Sequence, residues 1–144
     1  MSLLKAARSS QRVQEAQFRF AAADTMVPVA GGTATDFKPA STVAVVYDII
    51  NLPPGAVILS GELVVETAFD GTTYAVIIGD SAVTNRYLAT ADRKAAGRTA
   101  LVPTGYVSLG EPIRITITPT GTTTVGQGVV RVLFSIDNRA DENT

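Results

Sequence analysis

The sequence predicts an all-β fold: an antiparallel β-sandwich of jelly-roll type, led by an extended or partly helical N-terminal arm. Three observations predict it. Valine, isoleucine and threonine fill 44 of 144 positions, and β-branched side chains fit a pleated surface while losing rotamer freedom in helices. Twelve glycines and seven prolines punctuate the chain, as frequent turns require. Apolar and polar residues alternate along several runs, the period of a half-buried strand.

The elements follow in order. Residues 1–20 carry Lys5, Arg8, Arg12 and Arg19 against Glu15, a side-chain charge of +3, whereas residues 21–144 carry −4. That asymmetry sets an arm (1–20) apart from a body (21–137) and a polar tail (138–144). Leu3, Leu4 and Ala7 have partial helical spacing, but Ser9-Ser10 weakens a helix already too short to stand alone. Gln17-Phe-Arg-Phe20 switches to strand alternation. Thr42–Ile50 is a strand that ends at Leu52-Pro-Pro-Gly55. Val57–Phe69 is a longer one, with Leu63, Val65, Thr67 and Phe69 on one face and Glu62, Val64 and Glu66 on the other; Gly61 marks a bend or bulge. Asp70-Gly71 signals a tight turn into Tyr74–Ile78. Short strands at Arg86–Ala89 and Thr99–Val102 precede Glu111–Thr118, whose Ile113, Ile115 and Ile117 point inward. Residues 119–128 read as a loop, and Gly128–Ile136 closes the body with Val130, Val132, Phe134 and Ile136 on one face. Eight or nine short strands suit a sandwich or jelly roll.

What is missing narrows the chemistry. The chain has no histidine and no cysteine, which removes Ser-His-Asp, Cys-His and HExxH catalysis, thiolate metal sites and disulfides. A net charge of −1 gives no field for nucleic acid or an anionic membrane. The start is broken by Lys5, Arg8 and Arg12 and offers no signal-peptide core. No run approaches the ~18 apolar residues of a membrane helix. A protein made and used without crossing a membrane is expected.

Several motifs carry a resemblance. Leu52-Pro-Pro-Gly-Ala-Val57, Gly61-Glu-Leu-Val-Val-Glu-Thr-Ala-Phe69, Ile78-Gly-Asp-Ser81, Asn85-Arg-Tyr-Leu88 and Pro119-Thr-Gly121 resemble stretches of small structural proteins of tailed bacteriophages that decorate or cement the capsid. The resemblance spans roughly residues 43–136. It implies a β-sandwich or jelly roll, a major capsid protein as partner, and a homo-oligomer, a trimer being favoured. It also implies a place on the outside of the virion head after synthesis in the host cytoplasm. The expected function is non-catalytic: bridging neighbouring major capsid subunits and holding the shell against the pressure of packaged DNA, with no cofactor and no metal. The alternative is a carbohydrate- or receptor-binding β-sandwich module of a phage tail or fibre.

Candidate residues follow from charge and pattern. Leu3, Leu4, Lys5, Arg8 and Arg12, beside Val13, would lay the arm on an acidic, partly apolar capsid surface. Deletion of residues 2–16 is expected to leave the body folded and weaken attachment. Val64 interrupts the charged face of Glu62 and Glu66, and Leu133 stands between Arg131 and Ser135 on the face opposite Phe134; both are candidates for a subunit interface. Other groupings have plainer readings. Asp80, Ser81 and Asn85 offer the oxygens calcium uses, but turn chemistry and an Asp80–Arg86 pair account for them. Glu62 and Glu66 would need a second carboxylate at roughly 5–9.5 Å to act as a glycosidase pair. Asp92–Arg98 is a basic loop without the interleaved aromatics of a single-strand nucleic-acid platform. Tyr47, Tyr74, Tyr87 and Tyr106 do not cluster in sequence, which disfavours a glycan platform.

Overall fold

The computed structural model describes residues 13–136. Ten strands follow one another: β1 (Gln14–Ala21), β2 (Thr25–Met26), β3 (Thr35–Asp36), β4 (Val45–Ile50), β5 (Ala56–Thr67), β6 (Thr73–Gly79), β7 (Leu88–Asp92), β8 (Gly97–Ala100), β9 (Ile113–Thr120) and β10 (Gln127–Ile136). β2 and β3 form a small ribbon. The other eight make two four-stranded sheets, ordered β1-β10-β5-β8 and β4-β9-β6-β7. Every pairing is antiparallel. Successive strands from β4 to β10 cross between sheets except at β6–β7, and this double Greek-key order is that of a jelly roll.

The two inner faces build the core. Phe20, Ile58, Leu63, Val65, Val130, Val132 and Phe134 from the first sheet meet Tyr47, Tyr74, Val76, Ile78, Ile113, Ile115 and Ile117 from the second, all buried. The strict alternation in β9 puts its three isoleucines at 1 % exposure or less.

Particular segments differ from the sequence expectation for physical reasons. β5 stays in one sheet, and its register with β10 jumps twice, at Leu59 (Leu133↔Ser60 to Phe134↔Ile58) and at Glu66 (Gln127↔Thr67 to Gly128↔Val65). Gly61 serves close approach instead of a bend: a Cβ there would stand 2.6 Å from the Arg131 carbonyl oxygen and 2.8 Å from Leu101. Asp70-Gly71 is no hairpin turn, because β5 and β6 belong to different sheets. Asp70 instead caps the loop after β9, accepting from Thr124 N at 2.7 Å and Val125 N at 3.0 Å. Residues 14–20 of the segment 1–20 lie in β1, paired with β10 from Gln14↔Phe134 to Ala21↔Gln127. A deletion that spares the sheet therefore stops at residue 12, since removal of 2–16 would also take Gln14, Glu15 and Ala16 out of β1.

The sandwich has two dissimilar ends. One carries the loops 51–55, 80–87 and 101–112, the start of β1 and the finish of β10. The other carries the connections 22–44, 68–72, 93–96 and 121–126.

Candidate functional site

The outward face of the β1-β10-β5-β8 sheet is where the sequence-predicted interface residues come to lie. Arg19, Arg131 and Leu133 project outward from β1 and β10, beside Glu62, Val64 and Glu66 of β5 and Arg98 of β8, while Val129 on the same side of β10 is fully covered. Register fixes the order along this face: Val64 opposite Val129, Glu62 opposite Arg131, Ser60 opposite Leu133. Val64 is half-buried and Leu133 is 39 % exposed. They share the face, separated by the Glu62–Arg131 pair.

The charges here are paired within the chain. Glu62 takes Arg98 Nε at 2.7 Å and Arg131 Nη1 at 3.1 Å, while Arg19 Nη1 reaches Glu66 Oε1 at 2.5 Å. Arg131 Nε also donates to Gln17 Oε1 at 3.4 Å. The Arg98 hydrogen bond, joined by Arg131, holds the Glu62 carboxyl below the usual carboxylate range. A carboxylate held ionised by two guanidinium groups is poorly suited to general-acid work, which needs a raised pKa. Glu15, Glu62, Arg98, Arg131, Ala100 and Leu133, with Ser60 and Gly61, line an open groove of about 690 Å³.

Beside this face stands the loop 101–112, fixed by a relay of polar contacts. Asp80 is 3 % exposed. It accepts from Ala82 N at 2.9 Å, Val83 N at 2.8 Å and Arg86 Nε at 2.5 Å. The Arg86 guanidinium lies 3.6 Å from the centre of the Tyr106 ring, a cation–π contact. Tyr106 donates its hydroxyl to Glu111. The same carboxylate accepts from Ser108 Oγ at 2.9 Å and Leu109 N at 2.7 Å. Led by the Tyr106 hydroxyl, these donors hold Glu111 down at about 2. Gly110, at φ +110° against Pro54, takes a backbone conformation that L side chains rarely adopt. At the tip, Leu109 is 81 % exposed.

The structure places the remaining candidates as follows. Leu3, Leu4, Lys5, Arg8 and Arg12 lie outside the described residues. Asp80 and Arg86 meet as a turn with an ion pair, and Ser81 and Asn85 are exposed. Among the described residues no three acidic side chains are grouped to hold a metal ion. Asp92 caps its own loop, accepting from Tyr74 N at 2.9 Å and Lys94 N at 3.1 Å. Tyr47, Tyr74 and Tyr87 are buried and Arg86 covers the ring of Tyr106, so the tyrosines offer no open platform. The Tyr106–Glu111 latch was not legible in advance. Its one trace is the Ser108-x-x-Glu111 spacing, which resembles a capping box but precedes a strand here.

No family model and no curated protein matches the sequence. The fold matches chains in three solved structures. In the Cyanophage Pam1 capsid asymmetric unit the TM-score is 0.64 at 16 % identity, covering 94 % of each chain. In the capsid of Ralstonia phage GP4 it is 0.56 at 16 % identity, over 94 % of this chain and 90 % of that one. In the acidic stable capsid structure of Helicobacter pylori bacteriophage KHP30 it is 0.54 at 19 % identity, over 87 % of this chain and 94 % of that one. At such identities the likeness is one of fold.

Proposed function

We propose that this chain is a non-catalytic structural protein of a phage head, a decoration or cement protein that binds the outside of the shell and bridges neighbouring major capsid subunits. One observation carries the reading: the jelly roll that occupies nearly the whole chain recurs, over nearly the whole of its counterparts, in three phage capsids. The site chemistry agrees with it. Glu62 is neutralised by arginines and the groove is open, so the surface suits contact better than turnover. A carbohydrate-binding module would want exposed aromatic rings, and the tyrosines are spent on the core and on Arg86.

The mechanism is multivalent clamping. Copies joined as a homo-oligomer, a trimer being favoured, each touch a different capsid subunit, and every contact made raises the effective concentration for the next. Because the oligomer binds only the assembled lattice, it stabilises that lattice by mass action against the pressure of packaged DNA. The arm supplies a second attachment through Leu3, Leu4, Lys5, Arg8 and Arg12.

The test is reconstitution on expanded heads stripped of the protein. The full chain should co-sediment with them and raise their melting temperature, and a chain lacking residues 2–12 should fold normally but occupy fewer sites. Heads that neither retain the full chain nor gain thermal stability would refute the assignment, and undiminished occupancy by the truncated chain would refute the role of the arm.

A further inference from the structure

Strand β1 is an open edge. It is the outermost strand of its sheet and pairs with β10 without a break from Gln14↔Phe134 to Ala21↔Gln127. Backbone groups along such a strand point by turns toward the partner and away from it. Ala22 N, continuing the register, donates to the Gly126 oxygen at 2.9 Å, whereas Ala21 bonds Asp24 through both its N–H and its oxygen. By that parity Ala16 and Phe18 bond β10, and the N–H and C=O groups of Glu15, Gln17 and Arg19 point outward. Among the described residues no backbone bond takes them. The neighbouring edge strand of the other sheet, β4, is treated differently: Val29 N covers its Val46 oxygen at 2.8 Å. An edge with no proline, lysine or bulge is a template for a further strand.

We propose that two copies pair through β1, antiparallel and two-fold about Gln17, so that one sheet runs through both. The strand is complementary to itself in that register. Every outward N–H from Glu15 to Arg19 meets a C=O of the other copy. Glu15, which has no ion pair among the described residues, faces Arg19 of the other copy at both ends, an opposite-charge cross-strand pair. A guanidinium has donors to spare, so Arg19 keeps Glu66 at 2.5 Å and takes the second carboxylate. On the inner side Ala16 faces Phe18, and both are half-buried in the single chain. Sliding the register by two residues sets Glu15 against Gln17 or Ala21 and loses the charge pairs. Eight residues a side fall short of the ~20–30 of a standard interface, so the pairing is weak between free chains. Copies held side by side on a shell pair at a raised effective concentration. The two-fold axis keeps this contact apart from those of the trimer favoured above: it ties one oligomer to the next. That role rests on the shell binding already proposed, whereas the pairing itself is read on free chains.

The chain has no cysteine, so single cysteines report the contact. Full-length Gln17→Cys, oxidised at high concentration, should form a disulfide dimer at least about tenfold faster than Glu15→Cys. Gln17 meets its twin at about 5.5 Å between Cα atoms, within disulfide reach, and Glu15 lies about 13 Å from its own. Glu15→Cys mixed with Arg19→Cys should cross-couple. Adding Glu15→Pro to Gln17→Cys removes an outward N–H that β10 does not use and should slow the dimer to the Glu15→Cys rate. In residue-resolved hydrogen exchange of the unaltered chain, the amides of Glu15, Gln17 and Arg19 should gain protection as concentration rises, while those of Ala16 and Phe18 are protected throughout. Gln17→Cys coupling no faster than Glu15→Cys overturns the pairing. Outward amides protected in a chain that sediments as a monomer would place the chain's own residues 1–12 on this edge, and amides open at every concentration would show an edge that no copy binds; either result also overturns it. These readouts need no heads, so their failure leaves the proposed function standing, and failure to bind heads leaves this contact standing.

Discussion

The two ends of the sandwich are closed by different chemistry. At the end that carries the connections 22–44 and 68–72, rings do the work. Phe37 stacks on Tyr47 at 4.4 Å, Phe69 on Tyr74 at 3.7 Å, and Phe20 packs on Phe37 at 5.0 Å. The two tyrosine hydroxyls then donate to backbone, Tyr47 to the Asp36 oxygen at 2.6 Å and Tyr74 to the Phe37 oxygen at 2.5 Å. Burial pushes Tyr47 up to about 12 and Tyr74 further up, so both remain protonated donors through the ordinary pH range. The end that carries the start of β1 and the finish of β10 adds a polar relay through Asp80, Arg86, Tyr106 and Glu111 to backbone ties such as Ser108 N to the Ala56 oxygen and Val102 N to the Tyr87 oxygen, both at 2.8 Å. The aromatic end is tied by stacked rings and two hydroxyls, whereas the other end adds to its backbone bonds a relay in which each polar group leans on the next. The exposed apolar loop 101–110 sits on the end that carries the relay.

The sharpest way to break that contrast is at Asp80. Asp80→Ala strands the largely buried Arg86 guanidinium and two backbone donors, and should cost about 3 kcal/mol or more in urea unfolding. Asp80→Asn, which keeps an acceptor, should cost less. A loss under 1 kcal/mol for Asp80→Ala would mean the relay is not what holds this end. Tyr74→Phe at the aromatic end removes one buried hydrogen bond and should cost about 1 kcal/mol, because the ring stack survives. A larger loss than Asp80→Ala would invert the comparison.

Acid separates the ends without mutation. Glu111 is held at about 2 against an ordinary 4.5. Its contribution is therefore complete above pH 4.5 and is lost as the pH falls toward 2. Asp70, which caps the opposite end, lies lower still under the Thr124 hydroxyl and the Val125 and Thr124 backbone donors. Hydrogen exchange at falling pH should thus open Leu109 before Thr124, and Glu111→Gln should abolish the difference across that window. Simultaneous opening would show that the carboxylate does not control the loop. The smallest effect belongs to the sheet face: Arg98, with its side chain 75 % exposed, pairs with Glu62 in solvent, and Arg98→Ala should change monomer stability by no more than about 0.5 kcal/mol.

Much of the fold was legible because alternation is a local signal. Ile113, Ile115 and Ile117 could face only one way in a strand, and Val130, Val132 and Phe134 likewise. Asp70-Gly71 marks the limit of such a local signal. A turn signal states that the chain reverses, not whether the next strand pairs in the same sheet or crosses to the other. Parity alone turns Val64 and Leu133 away from the inward-facing side chains of their strands, but their relation to Glu62 and Arg131 depends on the β5–β10 register, which shifts at Leu59 and again at Glu66.

By itself the sequence determined that this chain builds β structure, where its long strands lie, which side chains of β9 and β10 face inward, and that histidine and thiol chemistry are closed to it. These follow from composition and from a two-residue period that acts along a single strand. Only the tertiary structure decided that Arg86 bridges Asp80 to Tyr106, that Glu111 fixes Leu109 in the open, and that Glu62 lies between two arginines. Those partners are set by which strands become neighbours, and strand order is a property of the whole packed sandwich that no single segment encodes.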